Sequence, residues 1–297
     1  MGMGIHVIDL GFATTPTVEM GVTHHKADGG IILTASHNPW QWNALKLLNG
    51  QGEFISAEEG SALLALAASD NYEYAGVEKI GKLTRFTRMD EIHIDAVLGM
   101  KYVEPDVIRK AGFKVVIDCV NSVGGIILPN LLKKLGVAEV IELYCSPTGL
   151  FPHNPEPLPQ NLGDISAAVA KHKADVGFVV DPDVDRLVIV NEDGSMFGEE
   201  YTLVAVADYV LQQSPGNTVS NLSSTMALRD VTRKYNGTYT AAPVGEVNVV
   251  EEMKKTLAVI GGEGNGGVIY PALHYGRDAL AGIALFLTHL AKSGKKC

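Results

Sequence analysis

At 297 residues the chain exceeds what one hydrophobic core usually organises, so two or three domains are expected. Hydrophobic residues at 46% and charged residues at 20% are the balance of an ordinary globular protein. A formal net charge of −10 argues against a nucleic-acid or anionic-membrane surface, because either needs a basic field; an anionic substrate would have to meet a local positive site. The three cysteines, Cys119, Cys145 and Cys297, are scattered without metal-ligand spacing, which fits reduced thiols in the cytoplasm rather than a disulfide scaffold. Met1–Leu10 lacks the basic flank and apolar core of a signal peptide. The longest apolar stretch, Ala279–Leu287, is too short for a membrane span and predicts a packed helix.

Taken in chain order, strands are predicted at Ile5–Leu10, Gly30–Ala35, Leu45–Leu48, Lys114–Cys119, Val140–Tyr144, Val176–Val180, Leu187–Val190, Thr218–Asn221 and Val259–Gly262. Helical periodicity covers Ala57–Ala68, Asp90–Leu98, Gly125–Leu135, Asp164–His172, Glu199–Leu211, Met226–Lys234, Val247–Lys255 and Asp278–Leu290. This alternation implies βα units and an α/β architecture with mostly parallel, buried strands. Seams near Met100–Ala111 and Asn191–Glu200 divide the chain into blocks 1–100, 101–197 and 198–297, each large enough to be a domain. Pro147–Pro159 predicts an extended loop, since its prolines exclude helix and central strand.

Three segments carry chemistry. Asp181-Pro182-Asp183-Val184-Asp185-Arg186 sets three alternating carboxylates between two apolar runs. Such crowding is costly unless a cation neutralises it, and oxygen-only ligation suits Mg²⁺ better than Zn²⁺. Arg186 adds a donor fork for a phosphate or carboxylate. Thr34-Ala35-Ser36-His37-Asn38-Pro39 places a serine just past a strand end, where α/β folds bind ligands; His37 is adjacent and Lys46 is near. On local chemistry alone, the same run is equally an Asn-Pro turn with an incidental serine. Gly261–Gly267 offers backbone N–H groups, with Glu263 and Asn265 able to grip sugar hydroxyls; it lacks the P-loop pattern. Arg277-Asp278 could contact substrate or cap the last helix, and His24-His25, His274 and Tyr275 are as readily surface or packing residues.

Together these loops resemble the α-D-phosphohexomutase superfamily. Thr34–Pro39 with Asn43 and Lys46 resembles its phosphoserine loop, Asp181–Arg186 its metal loop and Glu263–Gly267 its sugar-binding loop. Pro243-Val244-Gly245 resembles the short loop before the last of these, and Asn154-Pro155-Glu156-Pro157 a proline-rich segment of the second domain. The Gly264-Asn265-Gly266-Gly267 form, with Gly276-Arg277-Asp278, looks most like phosphoglucosamine mutases; Asn265 stands where a serine usually contacts the sugar, and Ala44 replaces a usual glycine.

The resemblance implies successive mixed-sheet α/β domains around a central cleft, and transfer of phosphate between O6 and O1 of a hexose through a 1,6-bisphosphate. Ser36 would carry the phosphoryl group; one Mg²⁺ would sit on Ser36, Asp181, Asp183 and Asp185. Lys46 or His37 would move the proton, Arg186 would steady the metal loop or phosphoserine, and Glu263, Asn265, Gly245 and Arg277 would bind the sugar. Glucosamine 6-phosphate is the expected substrate, with a phosphomannomutase/phosphoglucomutase or a catalytically incomplete metal- and sugar-binding fragment as alternatives. A phosphatase with an aspartate nucleophile at Asp181 or Asp183 is a further rival, but it leaves the serine loop unexplained. Family members normally carry four domains, so an N-terminal segment ahead of Ile5 and a fourth, phosphate-binding domain after Cys297 are expected and are not in this sequence. Core surface left bare in this way keeps a homodimer open as the assembly state.

Overall fold

Three runs of alternating strands and helices follow one another, and the computed structural model describes residues 1–39, 41–69 and 71–297. In the first, β1 (Val7–Asp9) leads into α1 (Thr15–His25). Thr14 caps α1 by accepting from the Thr17 amide at 3.1 Å, Pro16 sits in the first turn, and Lys26 closes the helix in the left-handed conformation. Periodicity missed α1 because its buried face is largely polar or small (Thr15, Thr17, Glu19 and Gly21), so no apolar stripe announces it. β2 (Gly30–Leu33) then pairs antiparallel with β3 (Leu45–Leu48), α2 (Ala57–Ser69) follows, and β4 (Leu83–Arg85) returns parallel to β1 before α3 (Met89–Leu98). Ile31, Leu33 and Leu45 of the β2–β3 hairpin and Leu63, Leu64 and Leu66 of α2 stand exposed.

The second run begins with α4 (Pro105–Ala111) and continues β5 (Lys114–Asp118), α5 (Gly124–Leu135), β6 (Glu139–Leu143), α6 (Gly163–His172), β7 (Val176–Val180) and β8 (Leu187–Val190). The third contains α7 (Glu199–Gln213), β9 (Asn217–Asn221), α8 (Ala227–Lys234), β10 (Tyr239–Ala242), α9 (Glu246–Thr256), β11 (Ala258–Glu263), β12 (Gly267–Ile269) and α10 (Ala279–Ser293). The two sheets share one plan. Their orders are β6-β5-β7-β8 and β10-β9-β11-β12, with three parallel strands and a last strand turned antiparallel. Mixed rather than wholly parallel sheets therefore carry the fold, because each run ends in a hairpin.

Beside smaller clusters that lie within each sequence block, one large core joins all three. α10 is apolar on every side, with Leu280, Ile283, Leu285 and Leu287 fully buried. It packs against α7, α4, α3 and α5, so one hydrophobic cluster runs from Ile94 and Val97 through Phe178 and Leu187 to Leu290. Burying such a helix removes several large side chains from water, each contributing about 1.5–3 kcal/mol. The stretch Ala279–Leu287 is thus the packed helix its sequence predicted. Among the described residues no helix is long and apolar enough to cross a membrane.

Candidate active site

The three chemistry-bearing loops occupy the same place in their respective runs: each turns one strand into its antiparallel partner. Residues 34–44 join β2 to β3, 181–186 join β7 to β8, and 264–266 join β11 to β12. The metal loop also lies at the carboxyl end of its sheet, where open α/β folds leave room for ligands.

The serine loop and the acidic loop meet. Ser36, in left-handed backbone with φ 50°, donates from Oγ to Asp181 Oδ2 at 3.1 Å and has His37 Nδ1 at 3.2 Å. That conformation is uncommon for a residue with a side chain and is held by the Ser36 amide donating to Thr34 Oγ1 at 2.9 Å. His37 is half-buried, with Nε2 3.9 Å from Glu156. Burial and the nearby Arg186 charge lower its pKa, which keeps the ring neutral and able to accept a proton.

Asp181, Asp183 and Asp185 are buried, and their oxygens converge within 4.8 Å. Burial, with Asp185 and Asp183 beside it, drives the Asp181 pKa well up. Asp181 Oδ1 is spent inside the loop, accepting from the amides of Asp185 and Arg186 at 3.2 and 3.1 Å. Val184, at the apex, has φ 65°, a strained position for a β-branched residue.

Lys46 lies across the loop, donating to Asp183 Oδ2 at 2.6 Å and Asp185 Oδ2 at 2.9 Å. Burial works to lower its pKa, but the Asp185 and Asp183 carboxylates outweigh that and raise it. Held on two carboxylates, the Lys46 ammonium is a counter-charge to the acidic loop, beside the proton-transfer role expected of it. Of the two side chains proposed for proton transfer, only His37 has its nitrogen on Ser36.

The Gly264–Gly266 loop is tied to the acidic loop by Arg277. Its Nε donates to Glu246 Oε2 at 2.7 Å, its Nη2 to Asp185 Oδ2 at 2.7 Å, and its Nη1 pairs with Glu263 Oε2 at 2.8 Å. Arg277, expected to bind the sugar, is buried with each nitrogen on a carboxylate. Glu263 Oε1 accepts from Asn221 at 2.8 Å and from the Gly245 amide at 3.2 Å, so Gly245 supports Glu263 through its backbone. Asn265 Oδ1 accepts from the Gly267 amide at 3.3 Å, which stiffens the loop. Glycine is required at 266: φ is 89°, and a Cβ would come within 2.3 Å of the Leu187 carbonyl oxygen. Thr15, Glu246 and Asn221 were missed from sequence; each is an ordinary helix-start or strand-end residue, and of the three only Glu246 adjoins a recognised segment, Pro243-Val244-Gly245.

A divalent cation fits this arrangement. Asp183 Oδ1 and Asp185 Oδ1 are buried without any hydrogen-bond partner, an expensive state for ionised oxygens. Around them Asp181, Asp183, Asp185, Glu246 and Glu263 outnumber the cations Lys46, Arg277 and Arg186, and Arg186 Nε is itself buried without a partner. The donor set is all oxygen, which suits Mg²⁺.

Comparison with known proteins gives a consistent result. The family descriptions phosphoglucomutase/phosphomannomutase alpha/beta/alpha domains I, II and III match residues 1–73, 91–194 and 198–297. A phosphoglucomutase/phosphomannomutase of Thermococcus kodakarensis is 35% identical, over 100% of this chain and 64% of the relative. A probable phosphoglucosamine mutase of Methanopyrus kandleri is 31% identical, over 98% of this chain and 64% of the relative. The chain thus spans 64% of the length of these relatives. The crystal structure of a putative phosphomannomutase from Thermus thermophilus superposes with a TM-score of 0.89 at 29% identity, covering 99% of this chain and 67% of that one.

Proposed function

Because the chain belongs to the phosphoglucomutase/phosphomannomutase family, we propose that it serves the interconversion of hexose 6-phosphates and hexose 1-phosphates, with Ser36 as the phosphoryl carrier. The observation that carries this reading is the 3.1 Å approach of Ser36 Oγ to Asp181, at the edge of a buried acidic triad with two orphaned oxygens. Asp181, Asp183 and Asp185 would hold Mg²⁺, and Ser36 would add its own oxygen. When bound, the ion neutralises charge on transferring phosphoryl oxygens, the largest source of catalysis in phosphoryl transfer.

The chain's own groups supply the rest. Phosphate passes from Ser36 Oγ to a hydroxyl of the hexose monophosphate: the serine O–P bond breaks, the sugar O–P bond forms, and a 1,6-bisphosphate results. His37 Nδ1, 3.2 Å from Ser36 Oγ, takes the proton that the sugar hydroxyl loses and passes it to the departing Ser36 oxygen; the relay runs in reverse when the serine is rephosphorylated, so the ring is neutral before and after each transfer. Lys46 holds Asp183 and Asp185 together as a fixed counter-charge. Arg186, whose buried Nε lacks a partner, would steady the acidic loop or the phosphoserine, and Glu263 and Asn265 would bind the sugar. Relatives with both phosphomannomutase and phosphoglucosamine mutase names support a hexose phosphate; the Gly264–Gly267 form favours glucosamine 6-phosphate over mannose or glucose phosphates. The cytoplasm is the compartment this chemistry suits, and the exposed Ile31–Leu33–Leu45 face keeps a homodimer in view.

The test is to incubate the purified chain with radiolabelled glucose 1,6-bisphosphate and Mg²⁺ and to map the label by mass spectrometry. Label is expected on Ser36 and absent from Ser36→Ala. Label on another residue, or undiminished in the variant, would overturn the assignment. Turnover of glucosamine 6-phosphate, mannose 1-phosphate and glucose 1-phosphate then ranks the substrates.

A further inference from the structure

A second buried polar cluster lies outside the three loops. Asp278 Oδ1 caps α10, accepting from the amides of Leu280 and Ala281 at 2.8 and 3.2 Å. Its Oδ2 faces two imidazoles, Nε2 of His93 at 2.9 Å and Nε2 of His274 at 3.2 Å. The other nitrogen of each ring faces α1: His93 Nδ1 is 2.9 Å from Thr17 Oγ1, and His274 Nδ1 is 3.1 Å from Glu19 Oε2. Asp278, His93, Thr17 and Glu19 are all buried. One carboxylate oxygen on α10 therefore grips α1 at two points through two rings.

These nitrogen and oxygen atoms are close enough together to hold a metal ion. Protons satisfy most of them instead. His93 Nε2 pairs with Asp278 and Nδ1 with the Thr17 hydroxyl, which in turn meets Thr14 Oγ1 at 2.7 Å. The distal nitrogen of His93 has a hydrogen-bond partner, the arrangement that fixes an imidazole's orientation, whereas His274 Nδ1 faces Glu19 Oε2 at 3.1 Å without a hydrogen bond.

The start of α1 then reaches the acidic triad. Thr15 donates from Oγ1 to Asp183 Oδ2 at 2.6 Å, and its amide donates to the Asp183 carbonyl at 2.9 Å. From the opposite side, the amide of Ala279, next to Asp278, donates to the Val184 carbonyl at 3.3 Å. The strained apex Asp183–Val184 is thus clamped between the first residues of α1 and α10, and strain of this kind persists only where the surroundings over-determine it.

We propose that His93 is a positioning residue: by joining Asp278 to Thr17 it sets α1, and so Thr15, against Asp183, and keeps the acidic triad at the spacing a divalent cation needs. The inference rests on the metal reading of that triad, and groups behind a ligand commonly alter metal affinity by about 10- to 100-fold.

Mn²⁺ binding to the purified chain, followed by electron paramagnetic resonance, tests it on wild type, His93→Phe, Thr15→Val and the double variant. Each single change is expected to weaken Mn²⁺ binding by about tenfold, and the double variant to be no weaker than the poorer single, because both cut one connection. Multiplicative losses, or an unaltered His93→Phe, would overturn the proposal. Should His93→Phe not fold, Thr17→Val severs the same link. Native-state hydrogen exchange at the Thr15 amide separates this idea from the metal reading. If wild type binds no Mn²⁺ the metal reading fails, whereas selective loss of Thr15 protection in His93→Phe still supports the brace. Unchanged protection there refutes it, as does a stoichiometric metal found on His93, His274 and Asp278 in the isolated chain.

Discussion

Lys46 Nζ lies 2.6 Å from Asp183 Oδ2, and this contact makes the lysine the internal counter-ion of the acidic loop. Removing the charge with Lys46→Met leaves carboxylates packed together with less compensation, and breaking a buried pair costs about 3–5 kcal/mol. Lys46 retains some exposure, so the lower part of that range is expected. Saturating Mg²⁺ should recover much of the loss by mass action, since a cation that binds only the folded state stabilises it. Thermal melts of wild type and Lys46→Met, with and without MgCl₂, check this. An equal deficit in both conditions would show that Lys46 and the cation do not neutralise the same carboxylates.

Arg277 is the joint between sugar loop and metal loop, and its planar fork is what allows three carboxylates to share it. Lysine keeps the charge but presents a single ammonium, so Arg277→Lys strands at least one of Glu246, Glu263 and Asp185 without a partner. The expected loss is roughly 3 kcal/mol in denaturant unfolding, at the scale of an uncompensated buried charge. A change below about 1 kcal/mol would mean that the carboxylates re-pair or take up protons at little cost.

How much of this could be read from sequence follows from distance along the chain. The acidic and glycine loops were legible because each packs its chemistry into a few consecutive residues beside a strand, whereas the serine loop was ambiguous by itself and stood out through the family resemblance. The paired strands and most helices were legible for the same reason, since periodicity is local. What joins the loops was not. Thr15 meets Asp183 across 168 positions and His93 meets Asp278 across 185, and nothing local marks either partner. The carboxylate partners of Lys46 and Arg277 were illegible on that account, because they arrive from other segments. β10 and β12 escaped because four mixed residues and three residues beside a glycine run give no pattern to count.

Gly266 supports a prediction on the sugar loop. A Cβ there would press on the Leu187 carbonyl, whose own amide donates to Gly266 O at 3.1 Å, and the backbone at φ 89° is strained for any other residue. Gly266→Ala should destabilise by about 2–3 kcal/mol through the combined clash and strain. It should also weaken substrate binding more than label transfer to Ser36, because the serine lies on a different hairpin. Urea denaturation and labelling with glucose 1,6-bisphosphate test the two halves; equal loss of labelling and binding would place Gly266 in the phosphoryl site itself.

The pair Glu19 and His274 makes a pH prediction with a definite sign. Burial foremost pushes the Glu19 carboxyl up to about 8. Burial would lower His274, but its contacts with Asp278 and Glu19 outweigh that and raise it to about 10. Both groups thus bind protons more tightly in the folded chain than in the unfolded one. For a raised pKa the stabilising contribution is complete below the unfolded value, near 4.5 for Glu19 and 6.5 for His274. It is lost as pH climbs through the folded values, so the pair favours folding at the acid end and withdraws that support between about pH 4.5 and 10, Glu19 from 4.5 to 8 and His274 from 6.5 to 10. The melting temperature of wild type should fall across that window. Glu19→Gln removes one titrating group and the carboxylate that holds up His274, so its melting temperature should fall less steeply over the same range. A parallel fall in both proteins would show that Glu19 titrates in the folded chain as an ordinary carboxylate, and that His274 owes its proton to Asp278 alone.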